Sequence, residues 1–304
     1  MSTVVATRNL TKTYGRTHAL DGLDLSVETG QVHGFLGPNG AGKSTTLRIL
    51  LGLARASAGE ATVFGLDPWR DAAKIHARTA YVPGDVNIWP NLTGGESIDL
   101  LARLRGGHGP TFEAEKARLS EVFQFEPRTK GRAYSKGNRQ KVALIAALAV
   151  PADFYVFDEP TSGLDPLMEV AFRHEIARLR DRGATVLLSS HILSEVELLC
   201  DRVSIIRAGR IVDSGSLADL RHLTRTQVSF DGTDSAGAAT LPGAHDLTVA
   251  EGRVSFTVDS DAVAGMLGAL GQLGVTGLRV QPPSLEDLFL RHYGDELPSG
   301  EAGQ

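Results

Sequence analysis

Gly37-Pro38-Asn39-Gly40-Ala41-Gly42-Lys43-Ser44 decides how this chain folds, because of what stands on either side of it. Before it, Val32 to Leu36 is a short run with the length of a strand; after it, Leu47, Leu50, Leu51 and Ala54 recur at helical spacing. A glycine-rich stretch between a strand and a helix is a loop whose small residues let backbone N–H groups surround phosphates at the helix N-terminus. In that geometry Lys43 reaches the β and γ phosphates and Ser44 holds Mg²⁺. Gly37, Pro38, Asn39, Gly40, Ala41, Gly42 and the following Thr45 complete the nucleotide-binding stretch.

Further along, Phe154 to Phe157 is a continuous apolar run that ends on Asp158-Glu159, with Pro160 just beyond. This is the pattern of a strand buried on both faces. Ligands of parallel α/β sheets bind beyond the carboxyl ends of the strands, so the acidic pair is aimed at the phosphate site. Asp158 can bind Mg²⁺ through water, and Glu159 can orient and deprotonate an attacking water. Val186 to Leu188 reads as another strand. From Val4 to about His222, strands and helical patterns alternate, which predicts an α/β domain around a largely parallel sheet.

Between Asp231 and Ala244 the composition shifts to Gly, Ala, Ser, Thr and Asp, marking a loop inside or leading into a separate C-terminal unit. Gln227 to Phe230, a hairpin around Glu251-Gly252, a helix from Asp261 and a strand near Leu278 predict a small α+β domain. The expected division is therefore residues 1–224, 225–294, and a Gly-, Pro- and acid-rich tail at 295–304 expected to be disordered. No internal repeat or heptad array is present.

At 304 residues and 42% hydrophobic, the chain can bury one large core and one small one. Lys plus Arg number 31 against 36 Asp plus Glu, a net charge of -5, which argues against nucleic acid or an anionic lipid surface as partner. Cys200 is the only cysteine, so there is no disulfide framework and no Cys-rich metal site, in keeping with the cytosol. Met1 to Leu10 lacks the features of a secretory signal, and the longest apolar stretch, Val142 to Ala152, falls short of the ~18 residues that span a bilayer. Any membrane process would need a membrane-spanning part from another chain.

Several segments together resemble the nucleotide-binding domain of ATP-binding cassette (ABC) proteins, over almost the whole of the first 220 positions. Tyr14 resembles the aromatic that stacks on adenine, where a flat π-face is needed. Tyr134-Ser135-Lys136-Gly137-Asn138-Arg139-Gln140 resembles the signature segment, in which Ser135, Gly137, Asn138 and a helix N-terminus would receive a γ-phosphate. Ser162-Gly163-Leu164-Asp165 resembles the loop linking two active sites, and His191 the histidine that hydrogen-bonds the γ-phosphate. The resemblance implies the P-loop NTPase fold of an ABC nucleotide-binding domain, a mixed sheet core with a helical signature subdomain, followed by the small α+β domain. It also implies ATP hydrolysis with Mg²⁺, with Glu159, His191 and Lys43 catalytic. A homodimer, or a pair with a related subunit, would bury two ATP molecules at its interface. Separate transmembrane permease subunits would hold it on the inner, cytoplasmic face of the cell membrane and choose the transported molecule.

Two details point within the family. The signature has Tyr134, Lys136 and Asn138 where Leu, Gly and Gln are common, and such Ser-Lys-Gly variants resemble the ATPases of drug, antibiotic or lipid exporters. Pro283 to Leu290 is similar to the closing segment of the same group. A soluble ABC ATPase acting on ribosomes or DNA, and an importer ATPase, remain as alternatives. Trp89 to Leu104, including Glu96, matches where the family docks its membrane partner. The family's usual glutamine after a strand is replaced by Gly84 in Ala80-Tyr81-Val82-Pro83-Gly84-Asp85. Either Asp85 substitutes toward the metal shell, or the loop only transmits motion.

Overall fold

The computed structural model describes residues 2–222, 225–232, 243–259 and 262–281. The chain divides into two compact units, Met1–Ser214 and Gly215–Gln304. The expected closing segment 283–290 and the tail 295–304 lie outside the described residues.

The first unit opens with β1 (Thr3–Tyr14), β2 (Thr17–Leu23) and β3 (Ser26–Glu28), after which β4 (Val32–Leu36) leads into the glycine-rich loop and α1 (Lys43–Leu50). β5 (Ala58–Val63) returns to β1, which pairs antiparallel with β2, β3 and β5. Then come α2 (Ala72–His76), β6 (Thr79–Val82), α3 (Gly94–Arg103), α4 (Gly109–Val122), α5 (Lys136–Leu148), β7 (Phe154–Asp158), α6 (Pro166–Asp181), β8 (Thr185–Ser190) and α7 (Leu193–Leu199). β9 (Arg202–Arg207) and β10 (Arg210–Ser216) close the second sheet, whose order is β10-β9-β4-β8-β7-β6. From β9 to β6 every pairing in it is parallel. All residues of β4, β7 and β8 are buried, which is why they read as continuous runs without alternation. Between the two sheets, Val5, Leu10, Leu20 and Val63 meet Phe35, Leu47, Phe154 and Leu187 in one core.

The helical part is built by capping as much as by burial. α3 starts on a capping box: Thr93 Oγ1 accepts from the Glu96 N–H at 3.2 Å, and Glu96 Oε2 accepts from the Thr93 N–H at 2.7 Å. Glu96, which the sequence placed in the partner-docking stretch, therefore spends its carboxylate on the helix start, and those bonds lower its pKa. α5 packs on α3 and α4 and carries a run of buried residues from Gln140 to Leu148. Arg105 closes its far end by donating to the carbonyls of Ala147 at 3.0 Å and Val150 at 3.1 Å. Arg118 of α4 makes a bidentate pair with Glu175 of α6 at 2.8 and 2.7 Å, joining the helical part to the sheet part.

His33 of β4 lies fully buried, its Nε2 2.9 Å from Ser204 Oγ on β9. Burial first, and then the charge of Arg202, lowers its pKa from 6.5 to about 4. The unfolded chain takes up this proton first as pH falls, so the stability supplied by neutral His33 is whole above 6.5 and is lost on the way down to about 4. The full loss is about 3 kcal/mol. We predict that urea unfolding between pH 7.5 and 5 costs the natural chain more stability than His33→Gln, whose side chain does not titrate. Equal losses would show that His33 does not carry the acid sensitivity.

In the second unit, α8 (Leu217–His222) precedes a four-stranded antiparallel sheet of order β12-β13-β11-β14, made of β11 (Thr226–Asp231), β12 (Ala244–Ala250), β13 (Arg253–Val258) and β14 (Thr276–Gln281). β13 alternates buried and half-buried residues, and its inward Val254, Phe256 and Val258 pack with Val228, Phe230 and with Met266 and Leu270 of α9 (Val263–Gln272). Glu251 and Gly252, at φ of 52° and 75°, make the two-residue turn between β12 and β13 that the sequence predicts.

Candidate functional site

The glycine-rich loop turns sharply between β4 and α1, and two of its glycines have no room for a side chain. A Cβ on Gly37 would sit 2.5 Å from the carbonyl oxygen of Ile206, and one on Gly42, at φ 113°, 2.6 Å from that of Ala19. Gly40 faces open space instead, which leaves that stretch of backbone accessible to a ligand. Lys43 starts α1 with its ammonium folded back over the loop: Nζ donates to the carbonyls of Gly37 at 2.6 Å and Pro38 at 3.2 Å. Burial lowers its pKa, and the negative charges of Glu159 and then Asp158 oppose that shift. Ser44 and Thr45 follow in the first turn, both partly buried.

Asp158 ends β7 and is 6% exposed. The parallel register sets it beside Ser189 of β8, whose hydroxyl donates to Asp158 Oδ1 at 2.5 Å. The next residue, Glu159, leaves the sheet at φ 48°, a left-handed conformation that costs a non-glycine residue about 1 kcal/mol or more. Its N–H donates to the Ser189 carbonyl at 3.1 Å, and this turn aims the carboxylate across the strand ends. There Oε1 lies 3.6 Å from Lys43 Nζ and 3.2 Å from Nδ1 of His191, the first residue after β8. Lys43, Asp158, Glu159 and His191 thus come together from the carboxyl ends of three neighbouring strands. Burial and the charge of Asp158 push the Tyr81 hydroxyl on β6 up to about 12.

The signature residues are held elsewhere. Ser135 caps α5, its Oγ accepting from the Asn138 N–H at 3.3 Å, while Gly137 packs against the Gly163 carbonyl. The structure therefore sorts the expected site into two groups, one around Lys43 and one at the start of α5. Tyr14 stands at the end of β1, 48% exposed, with the Lys12 ammonium 4.7 Å over its ring. A Cβ on Gly84 would lie 3.1 Å from the Asp158 carbonyl oxygen, so the loop after β6 does run beside the acidic pair, with Asp85 exposed.

Two further residues belong to this site. Ser189 orients Asp158 and anchors Glu159, and Gln140, 1% exposed, donates from Nε2 to the Pro160 carbonyl at 3.0 Å. The polar Ser189-Ser190 pair closing an apolar strand just before His191 was the available signal for the first. The second closes the segment 134–140 already singled out, but nothing local marks its bond to Pro160. Among the described residues no group of three or more His, Cys, Asp or Glu could hold a metal by itself. A divalent ion here would have to share Ser44 and Asp158 with phosphate oxygens, a mode that suits Mg²⁺.

Residues 20–162 match the family model described as ABC transporter. The chain is 32% identical over 313 residues to the bacitracin transport ATP-binding protein BcrA of Bacillus licheniformis, covering 97% of this chain and 98% of that one. It is 33% identical over 320 residues to the daunorubicin/doxorubicin resistance ATP-binding protein DrrA of Streptomyces peucetius, covering 99% and 96%. In fold, 72% of the chain superposes on 92% of a solved ATP-binding subunit of an ABC transporter with a TM-score of 0.68 at 30% identity. A dimeric ATP-binding cassette solved in a post-hydrolysis state with ADP and phosphate covers 70% of the chain at a TM-score of 0.64 and 24% identity.

Proposed function

This chain belongs to the ABC transporter family as an ATP-binding, ATP-hydrolysing subunit, and we propose that two copies close on two ATP molecules to drive export through separate membrane subunits. The observation that carries the paired reading is the sorting of site residues. Ser135, Gly137 and Asn138 stand at the start of α5 against the Ser162-Gly163 loop, and no hydrogen bond or ion pair joins them to Lys43, Asp158, Glu159 or His191 of the same chain. A second copy can supply them, since a helix N-terminus capped by a serine is a good receptor for a γ-phosphate.

Within one site the geometry supports the following division of labour. The loop N–H groups and Lys43 bind the β and γ phosphates, and Tyr14 offers its ring to adenine. Ser44 and Asp158 would hold Mg²⁺, which would supply positive charge to offset that of the phosphate oxygens. Glu159 accepts a proton from water as the water oxygen bonds to the γ phosphorus; the bond from that phosphorus to the bridging oxygen breaks and ADP leaves. His191 lies 3.2 Å from Glu159, where it can hold that carboxylate in place and would reach the γ-phosphate. Ser189 fixes the orientation of Asp158 by donating to its Oδ1.

No helix among the described residues is long and apolar enough to cross a membrane. A groove of about 400 Å³ lined by Leu51, Leu53, Tyr81, Leu101 and Leu104 offers an apolar seat for the cytoplasmic end of a permease, which would hold the chain at the inner membrane face. Leu53 and Leu104 are 58% and 76% exposed there, so a partner seated in the groove would cover them. The transport and resistance roles in the relatives' names favour export as the direction. Copurification with a co-expressed membrane subunit tests this reading, and Leu104→Glu should abolish it while ATP turnover of the isolated chain persists. Copurification that survives Leu53→Glu and Leu104→Glu together would move the permease to another face.

A further inference from the structure

Lys136 occupies a position where the family's common signature has glycine, and the structure gives it a partner. Its Nζ donates to Ser162 Oγ at 2.6 Å. At the next residue, Gly137, a Cβ would fall 2.3 Å from the Gly163 carbonyl oxygen, so helix and loop touch backbone to backbone. Gly163 is at φ 85°, and a Cβ there would meet Lys136 Cγ at 3.3 Å. One helical turn on from Lys136, the buried Gln140 amide donates to the Pro160 carbonyl at 3.0 Å. Residues four apart share a helix face, so the first turn of α5 is fastened at three successive points to the segment from Pro160 to Gly163. That segment begins immediately after Glu159, which is itself anchored to Ser189.

We propose that Lys136 is a positioning residue whose ammonium, through Ser162, clasps the start of α5 to the linking loop. The clasp makes Ser135 and Glu159 of one chain move as a unit. It rests on the paired-site reading above: Ser135 then serves the partner's ATP while Glu159 serves the chain's own. Joining them makes closure at one site set the catalytic turn at the other. The Gly137 and Gln140 contacts are built into backbone and core. The Lys136 contact is the exposed one, and an ammonium-hydroxyl bond at the surface can be made and broken within a cycle. Lys136 touches no nucleotide in this role, so its loss slows turnover without weakening ATP.

The test is steady-state ATP turnover by the full chain carrying Lys136→Met, Ser162→Ala, both together, or Lys136→Arg. Each single variant should lower kcat about fivefold with the KM for ATP unchanged. The double variant should be no slower than either single one, because both remove the same bond. Lys136→Arg should restore most of the rate, since guanidinium can donate to the same hydroxyl. Losses that multiply in the double variant, or a Lys136→Arg chain as slow as Lys136→Met, would overturn the clasp. A raised KM in Lys136→Met with Ser162→Ala silent would also overturn it, and would place the ammonium directly on the partner's phosphate. The underlying pairing is read separately from unmodified chain. Turnover per chain that climbs with protein concentration supports it, and turnover that is constant on dilution overturns pairing and clasp together.

Discussion

Glu159→Gln should stop ATP hydrolysis and leave ATP bound. The carboxylate lies 3.2 Å from His191 Nδ1 and 3.6 Å from Lys43 Nζ, at the carboxyl end of the sheet where the γ-phosphate would be attacked. Glutamine matches its shape and can still meet both neighbours, but an amide oxygen cannot take the proton that the attacking water must lose. A general base contributes about 10²–10⁴-fold, and turnover should fall by at least the lower of these. Binding has no reason to weaken, because removing a negative charge beside the γ-phosphate reduces repulsion. Phosphate release and nucleotide retention, measured on the same preparation, should therefore part company. Hydrolysis at the unmutated rate would remove Glu159 from the reaction.

Lys43→Ala should instead lose both ATP affinity and turnover. Its ammonium is buried against two loop carbonyls and opposite Glu159, and burial disfavours its charge. Its three donors are free to swing from the Gly37 and Pro38 carbonyls to phosphate oxygens. We expect an affinity loss of about a hundredfold or more, the scale of a charge-assisted contact taken from a buried phosphate. Thermal stability of the chain alone should change little. A Lys43→Ala protein that melts far lower than the natural chain would mean that the lysine holds the loop itself, and the loss of activity would then say nothing about phosphate.

How much of this was legible in the sequence depends on how local each feature is. Phe154 to Phe157 is buried on every side, so its composition alone marks it as a strand of a parallel sheet, whereas Val32 to Leu36, with His33 and Gly34 inside it, is legible through its length and the glycine-rich loop that follows. β1 was not legible as the centre of an antiparallel sheet. Its twelve residues mix Arg8, Asn9, Lys12 and Thr with Val and Leu, its pairing with β2 shifts register after Leu10, and its partners are set by distant segments. The strand-end rule placed Asp158 and Glu159 near the phosphate loop. It could not show that the register of β7 on β8 sets Ser189 against Asp158, or that Glu159 turns through positive φ to reach His191. Ser135 was readable as a helix start. The fastening of that helix to the loop after Glu159, through Lys136 and Gln140, depends on packing between segments far apart in the chain and left no trace in either one.

The composite nature of the site is the central claim, and mixing two inactive chains tests it most directly. Lys43→Ala lacks the phosphate lysine but keeps a sound signature segment. Ser135→Arg keeps Lys43, Asp158, Glu159 and His191 but presents a blocked helix start to its partner. In a mixed pair, the phosphate loop of the second chain faces the signature of the first, and that one site is whole. ATP turnover of the mixture should therefore rise well above the sum of the two variants measured alone, and should fall again on dilution. A mixture that hydrolyses ATP no faster than that sum, with both variants folded, would contradict a site shared between two copies of this chain.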